Sequence, residues 1–185
     1  MTALSSLPSP EAVEVEALPE NLPNTLAIAL EYWQKVKGDA FAPSLETFKL
    51  LDLPPKSISQ TIIVDLHEPN VYDSAHAKFR FFGTLWVETS AQEVTGKTVD
   101  QFLPQSVHTM LSDQYKRLLA VRRPLAFKNI LPTPKGLVSR FTILRLPISS
   151  DGENVTHVAS VCEFEENREA LQETFEQHVA GGEAP

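Results

Sequence analysis

Apolar and polar positions recur along this chain with two different periods, and the changes of period divide it into elements. In "NTLAIALEYWQKVKGD", Leu26, Ala29, Leu30, Trp33 and Val36 fall on one helical stripe. Asn24 or Thr25 can cap this helix, Lys35 and Lys37 suit the negative end of its dipole, and Gly38 suits the position just past it. "APSLETFKLLDLPP" predicts a short helix capped by Ser44 and stopped by Pro54 and Pro55. The period then changes: "QTIIVDLHE" predicts a buried strand and "HAKFRFFGT" an alternating one, joined antiparallel through a loop around Pro69, Asn70 and Asp73.

Helical spacing returns after Leu85. "LWVETSAQEV" predicts a short helix, and "TGKTVDQFLP" a turn with a small helical piece. "PQSVHTMLSDQYKRLLAVRR" predicts the longest helix of the middle section. Its stripe is Val107, Met110, Leu111, Leu118 and Leu119, with Gln114 on the same side and Pro124 beyond its end. Three strands are expected at about 125–131, 137–147 and 155–164, separated by "PTPKG" and "SSDGEN", and "ENREALQETFEQHVA" predicts a closing amphipathic helix. Both groups of strands are locally antiparallel. The economical solution is an α+β fold: one five-stranded antiparallel sheet with helices on one face, flanked by N- and C-terminal helices. Residues 1–23 mix Pro, Ser and Glu without periodicity and read as a flexible arm. Residues 24–165 are expected to form the domain, and 166–185 a helix and tail.

Asp151-Gly152 is a strong tight-turn signal, and it predicts a register for the last two strands. Leu146 would face His157, Leu144 Ala159, Thr142 Val161 and Arg140 Glu163, all on one face. The other face would carry Arg145, Ile143, Phe141 and Cys162, with Leu125 and Phe127 added from the preceding strand, while Lys128 joins Arg140 and Glu163 on the first. Arg140 and Glu163 then form an exposed cross-strand pair. Arg145 shares its face with apolar residues. It either snorkels from the end of the sheet, the commoner arrangement, or is buried and needs a partner, which an acidic side chain or a ligand carboxylate would supply.

Composition narrows the class. The chain has 185 residues, net charge −8 and a pI near 5.1. An acidic protein lacks the basic face that a nucleic acid or an anionic membrane surface attracts, so neither is an expected partner. No apolar run approaches the ~20 residues of a membrane span, and the first residues lack the charged start and apolar centre of a secretory signal. The single Cys162 fits a reducing, cytoplasmic setting. The five histidines, at 67, 76, 108, 157 and 178, have no metal-site spacing, and no phosphate loop, nucleophile elbow or catalytic constellation is present. No catalytic or metal role is expected, and no cofactor is assigned.

Four stretches, "LEYWQKVKG", "APSLETFKLLDLPP", "FRFFGTLWVETSAQEVTGKTVDQF" and "RFTILRLPISSDGENV", together with the order of two strands, helices and three strands, resemble a PAS domain. More narrowly, they resemble the alphaproteobacterial PAS-like family once catalogued as a domain of unknown function. The resemblance covers about residues 26–165. Leu45 stands where that family commonly carries a basic residue, and Thr142 and Ile143 where it carries a charged pair, so any ligand contact shared through those positions is altered here. The resemblance implies a bacterial sensory or dimerising module that holds a small molecule, such as haem, a flavin or an organic acid, between helices and inner sheet face. It would signal through its flanking helices to a partner protein or a second copy.

The candidate ligand contacts are Phe81, Trp86, His108, Met110, Tyr115, Phe127, Phe141 and Arg145. His108 lies near the start of the long helix, where some PAS domains supply a haem ligand, although a hydrogen-bonded helix histidine is the commoner state. Aromatic and Met side chains at such spacings are more often core than contact. Cys162 reads as a buried structural thiol. Two alternatives stand beside the sensor: a ligand-free adaptor whose core is filled by its own side chains, and a small-molecule enzyme on a similar frame.

Overall fold

The computed structural model describes residues 9–102 and 104–181. It is an α+β fold built on one antiparallel sheet, and the expected order of two strands, helices and three strands is present. The strands are β1 (Glu11–Glu14), β2 (Thr61–Asp65), β3 (Lys78–Phe82), β4 (Leu125–Pro132), β5 (Val138–Ile148) and β6 (His157–Glu166). They lie in the order β1-β4-β5-β6-β2-β3. The helices are α1 (Asn24–Lys37), α2 (Pro55–Ser59), α3 (Thr84–Ser90), α4 (His108–Val121) and α5 (Arg168–Ala180).

The sheet has six strands rather than five because part of the expected arm is ordered. Glu11–Glu14 pairs antiparallel with Phe127–Ile130, and the Val15 amide continues the ladder to the Ala126 carbonyl at 2.8 Å. Glu14 holds Arg117 of α4 at 3.0 Å and lies 3.9 Å from Arg123.

Helices cover both faces of the sheet, not one. On the inner face, α3, α4 and α5 pack over Ile62, Phe79, Phe127, Phe141 and Ile143. On the outer face, α1 buries its stripe of Leu26, Ala29, Leu30 and Trp33 against Ala126, Leu144, Leu146, Ile148, Ala159 and Val161. The Trp33 indole donates to the Pro147 carbonyl at 2.8 Å, so even the polar atom of this side chain is satisfied by the sheet. A sheet apolar on both faces needs a layer on each, and α1 supplies the second.

Pro55 begins a helix rather than ending one. The missing amide of proline costs nothing in the first helical turn, so α2 starts at Pro55. The helix expected before it is replaced by a hydrogen-bonded turn at Ser44–Thr47 and a 3-10 turn at Leu50–Asp52. The cap expected at Asn24 or Thr25 is also absent: both lie inside α1, which starts after Pro23.

The hairpin register differs from the expected one by two residues. Leu146 faces Ala159, Leu144 faces Val161, Ile143 faces Cys162 and Arg145 faces Ser160. Asp151 and Gly152 do not form a two-residue turn but sit in a longer loop between Ile148 and His157. There the Asp151 carboxylate accepts from the amides of Glu153 (2.9 Å) and Asn154 (2.8 Å). Together with the Asn154 side chain, which has the largest effect, these bonds hold its carboxyl far below the usual carboxylate range. From Phe141 to Leu146 the shift is even and keeps the side chains on their expected faces; a register irregularity between Arg140 and Phe141 breaks it beyond that point. Arg140 pairs with Glu166 instead of Glu163, and Glu163 with Lys56 at 2.7 Å.

Gly83, between β3 and α3, is a place where only hydrogen fits. A Cβ there would lie 2.3 Å from the Ser59 carbonyl oxygen and 2.8 Å from that of Thr61. Both are backbone atoms and cannot swing aside, so Gly83→Ala is expected to cost about 2–3 kcal/mol, read as a lower urea midpoint at unchanged slope.

His157 opens β6 on the outer face, with Nδ1 2.8 Å from the Thr156 hydroxyl and Nε2 3.4 Å from Asp65, which also accepts from Arg80 at 2.6 Å. Burial lowers its pKa; Asp65 opposes this and Arg80 adds to it. The unfolded chain therefore binds more protons here than the folded one, and stability should fall as pH drops below the ordinary histidine value of ~6.5. His157→Gln is expected to flatten that part of a stability–pH curve; an unchanged slope would refute the assignment.

Candidate functional site: a buried arginine beside an aromatic cavity

β5 places Arg145 on the inner face between Leu125 of β4 and Ser160 of β6. The side chain does not snorkel. Arg145 is 2% exposed, among the largest fully buried side chains. Its Nε and Nη2 donate to the Gln114 Oε1 of α4 at 2.9 and 2.7 Å, and Nη1 donates to the Ser160 hydroxyl at 2.9 Å. The guanidinium lies 4.3 Å from the centre of the Tyr115 ring, and Tyr115 stacks in turn on Tyr72 at 4.5 Å and 3°. Burial, reinforced by Tyr115, holds the Tyr72 hydroxyl proton well above the ordinary tyrosine range.

Gln114 uses its other end as well. Its amide donates to Asn129 Oδ1 at 2.6 Å, and Asn129 donates to the Phe127 carbonyl at 3.1 Å. A polar chain of Asn129, Gln114, Arg145 and Ser160 thus crosses β4, α4, β5 and β6. Each hydrogen-bond partner of the guanidinium is neutral. Buried charges are ordinarily paired with an opposite charge; here one carboxamide, a hydroxyl and an aromatic face do the work of a carboxylate.

Arg145 and Asn129 are the polar part of a cavity of about 50 Å³ whose other walls are apolar. Trp86 (α3), Met110 and Tyr115 (α4) and Phe141 (β5) line it, with Phe79, Phe82, Phe102, Ile143 and Phe175. It is far smaller than the ~300–1,000 Å³ of typical ligand pockets. A second, open groove of about 500 Å³ lies on the other side of α4, between that helix and β1, lined by Ala12, Glu14, Met110, Asp113, Gln114, Arg117 and Phe127.

Of the eight residues singled out from the sequence, Trp86, Met110, Tyr115, Phe141 and Arg145 converge on the cavity. Phe127 is on the expected face but belongs to the groove beyond α4. Phe81 is on the wrong side. The β2–β3 register skips Arg80, pairing Val64 with Phe79 and Ile63 with Phe81. That bulge leaves Phe79 and Phe82 inside and turns Phe81 toward the α1 layer. His108 opens α4 as expected, but its Nε2 donates to the Phe102 carbonyl at 2.6 Å and it does not line the cavity. That bond occupies the nitrogen, which speaks against a haem-ligand role. Cys162 is buried on the inner face, where burial above all holds its thiol protonated.

Sequence reading missed Asn129, Ser160 and Tyr72 and noted Gln114 only for its stripe. A signal existed for two of them: Asn129 and Ser160 are polar residues at inward parity in otherwise apolar strands. Among the described residues, no group of three His, Cys, Asp or Glu side chains could hold a metal, and no helix is long and apolar enough to cross a membrane.

No family model matches the chain, and no curated protein matches it. The chain is similar to solved light-oxygen-voltage (LOV) domains, which have a PAS-family fold. The light-state structure of the Aureochrome1 LOV photoreceptor is 7% identical, with 69% of this chain and 94% of that one covered and a TM-score of 0.42. A LOV domain studied with a flavin analogue is 9% identical over 60% and 79% of the two chains, with a TM-score of 0.41. An RNA-binding LOV receptor is 11% identical over 95% of this chain and 44% of that one, with a TM-score of 0.40. At these scores the likeness carries no argument about ligand or activity.

The one-sided dependence of the arginine on Gln114 has a measurable consequence. Gln114→Leu leaves a buried charge without its main acceptor and should cost about 3–5 kcal/mol, whereas Arg145→Met removes the charge itself and should cost much less. Combining the two should recover most of the loss in chemical denaturation; additive losses would show that the pair is not coupled.

Proposed function

We propose that this chain is a non-catalytic, PAS-like sensory module that takes a small molecule into the cavity between sheet and helices and signals by changing the packing of α4 and α5. The observation that carries this reading is the wall of the cavity itself. A guanidinium with only neutral hydrogen-bond partners faces an aromatic chamber whose other sides come from α3, α4 and α5. A ligand there would touch the sheet and all three helices at once. The sequence resemblance to PAS domains supports the same reading. The lone buried thiol suits a cytoplasmic setting, and the signal would leave through a partner protein or a second copy of the chain.

A second reading is favoured by the size of the cavity. At about 50 Å³ it has no room for a haem or a flavin, and the aromatic side chains already fill most of the space. A ligand-free adaptor would look like this. Homodimerisation through the α1 stripe is disfavoured in both readings, because that stripe is spent on the outer sheet face.

Native mass spectrometry with an absorbance spectrum separates the two. The sensory reading expects a bound small mass, or a rise in melting temperature with one class among a panel of small acids, amides and alcohols. A bare polypeptide mass with no thermal shift from any of them would leave the adaptor.

A further inference from the structure

The sensory reading leaves open what the cavity takes and how it is reached, and the polar chain across α4 bears on both. Arg145 Nε and Nη2 converge on the single oxygen Oε1 of Gln114, at 2.9 and 2.7 Å. This edge of a guanidinium is the one that grips carboxylates. A carboxamide offers it an oxygen of the right shape without the charge.

The position of Gln114 is equally telling. Its side chain forms part of the wall of the α4–β1 groove while it bonds the arginine that lines the inner cavity. Met110, one turn earlier on α4, lines both spaces. Met110 and Gln114 thus lie where the groove of about 500 Å³ comes nearest the arginine of the inner cavity of about 50 Å³. Both are unbranched at Cβ and Cγ and can change rotamer without moving the helix.

We propose that the ligand is a short-chain carboxylate that comes through the α4–β1 groove and displaces the Gln114 carboxamide from Arg145, and that Gln114 is a built-in placeholder for it. This rests on the sensory reading above and gives it a ligand class and a gate. The carboxylate would take the Nε–Nη2 edge, its short apolar tail would enter the chamber walled by Trp86, Tyr115 and Phe141, and Ser160 would keep Nη1. The displaced Gln114 would turn into the groove, where its amide can be solvated. Long-range attraction is not the source of affinity, since Glu14 and Asp113 line the groove and Arg117 is already paired with Glu14. The buried guanidinium, with no carboxylate of its own, is.

Thermal shift and side-chain NMR with acetate and propionate, compared with acetamide and propionamide at equal ionic strength, test this. In the unaltered protein the carboxylates should move the Arg145 Nε–H and Gln114 amide resonances and bind at least tenfold more tightly than the amides. Gln114→Ala removes the placeholder, so it should lower the melting temperature in plain buffer and bind propionate about tenfold more tightly than the unaltered protein. Gln114→Glu supplies a permanent carboxylate and should respond to neither ligand; it also serves if Gln114→Ala does not fold. Amides that match or exceed the carboxylates would overturn the proposal while leaving a small-molecule sensor standing. If neither class binds the unaltered protein or Gln114→Ala, the proposal falls, and the sensory reading falls too only if the wider panel is also silent.

Discussion

A guanidinium that leaves water without meeting a carboxylate has to be compensated by many weaker partners held in place at once, and the inner half of this protein is arranged around that requirement. Arg145 needs Gln114 at one edge, Ser160 at the other and Tyr115 across its face. Gln114 and Tyr115 are neighbours on α4, so satisfying the charge fixes the rotation and height of that helix over the sheet. Asn129 then pins the far end of Gln114 to β4. The arrangement is more specific than an apolar contact of the same area, because hydrogen bonds and a stacked ring tolerate little sliding.

The two faces of the sheet are unlike in consequence. The outer layer is ordinary close packing: Leu, Ala, Val and Ile of the sheet against the stripe of α1, with one indole hydrogen bond. The inner layer is crowded with rings, Phe79, Phe82, Trp86, Phe102 and Phe141 among them, meeting mostly in tilted or edge-on pairs. Flat rings meeting at such angles leave small gaps where branched aliphatic chains would close up. The cavity lies among those rings.

Much of this was legible in the sequence because strand parity survives errors of register. The tight turn expected at Asp151 and Gly152 was the wrong turn, yet the shift was even, and Arg145, Ile143 and Phe141 stayed on the inner face. Phe81 shows the opposite case. One bulge at Arg80 changes the parity of a strand, and nothing in "KFRFF" announces it. Periodicity marks α1 as amphipathic but cannot say which face of the sheet it covers. Pro55 reads equally as a stop or a start, since proline breaks the turn before it and suits the turn after it. "EAVE" has no strand signal of its own; β1 exists because the edge of β4 offers it a ladder.

That last strand sets the terms on which this sheet can meet other chains. Without β1, the backbone of β4 would present unpaired amides and carbonyls beside an apolar face, a template on which any extended peptide could polymerise. With it, the exposed margin is four residues long and carries Glu11 and Glu14. A short border of charged side chains, one of them already paired with Arg117, is a poorer template for a growing fibril than the bare edge of β4 would be.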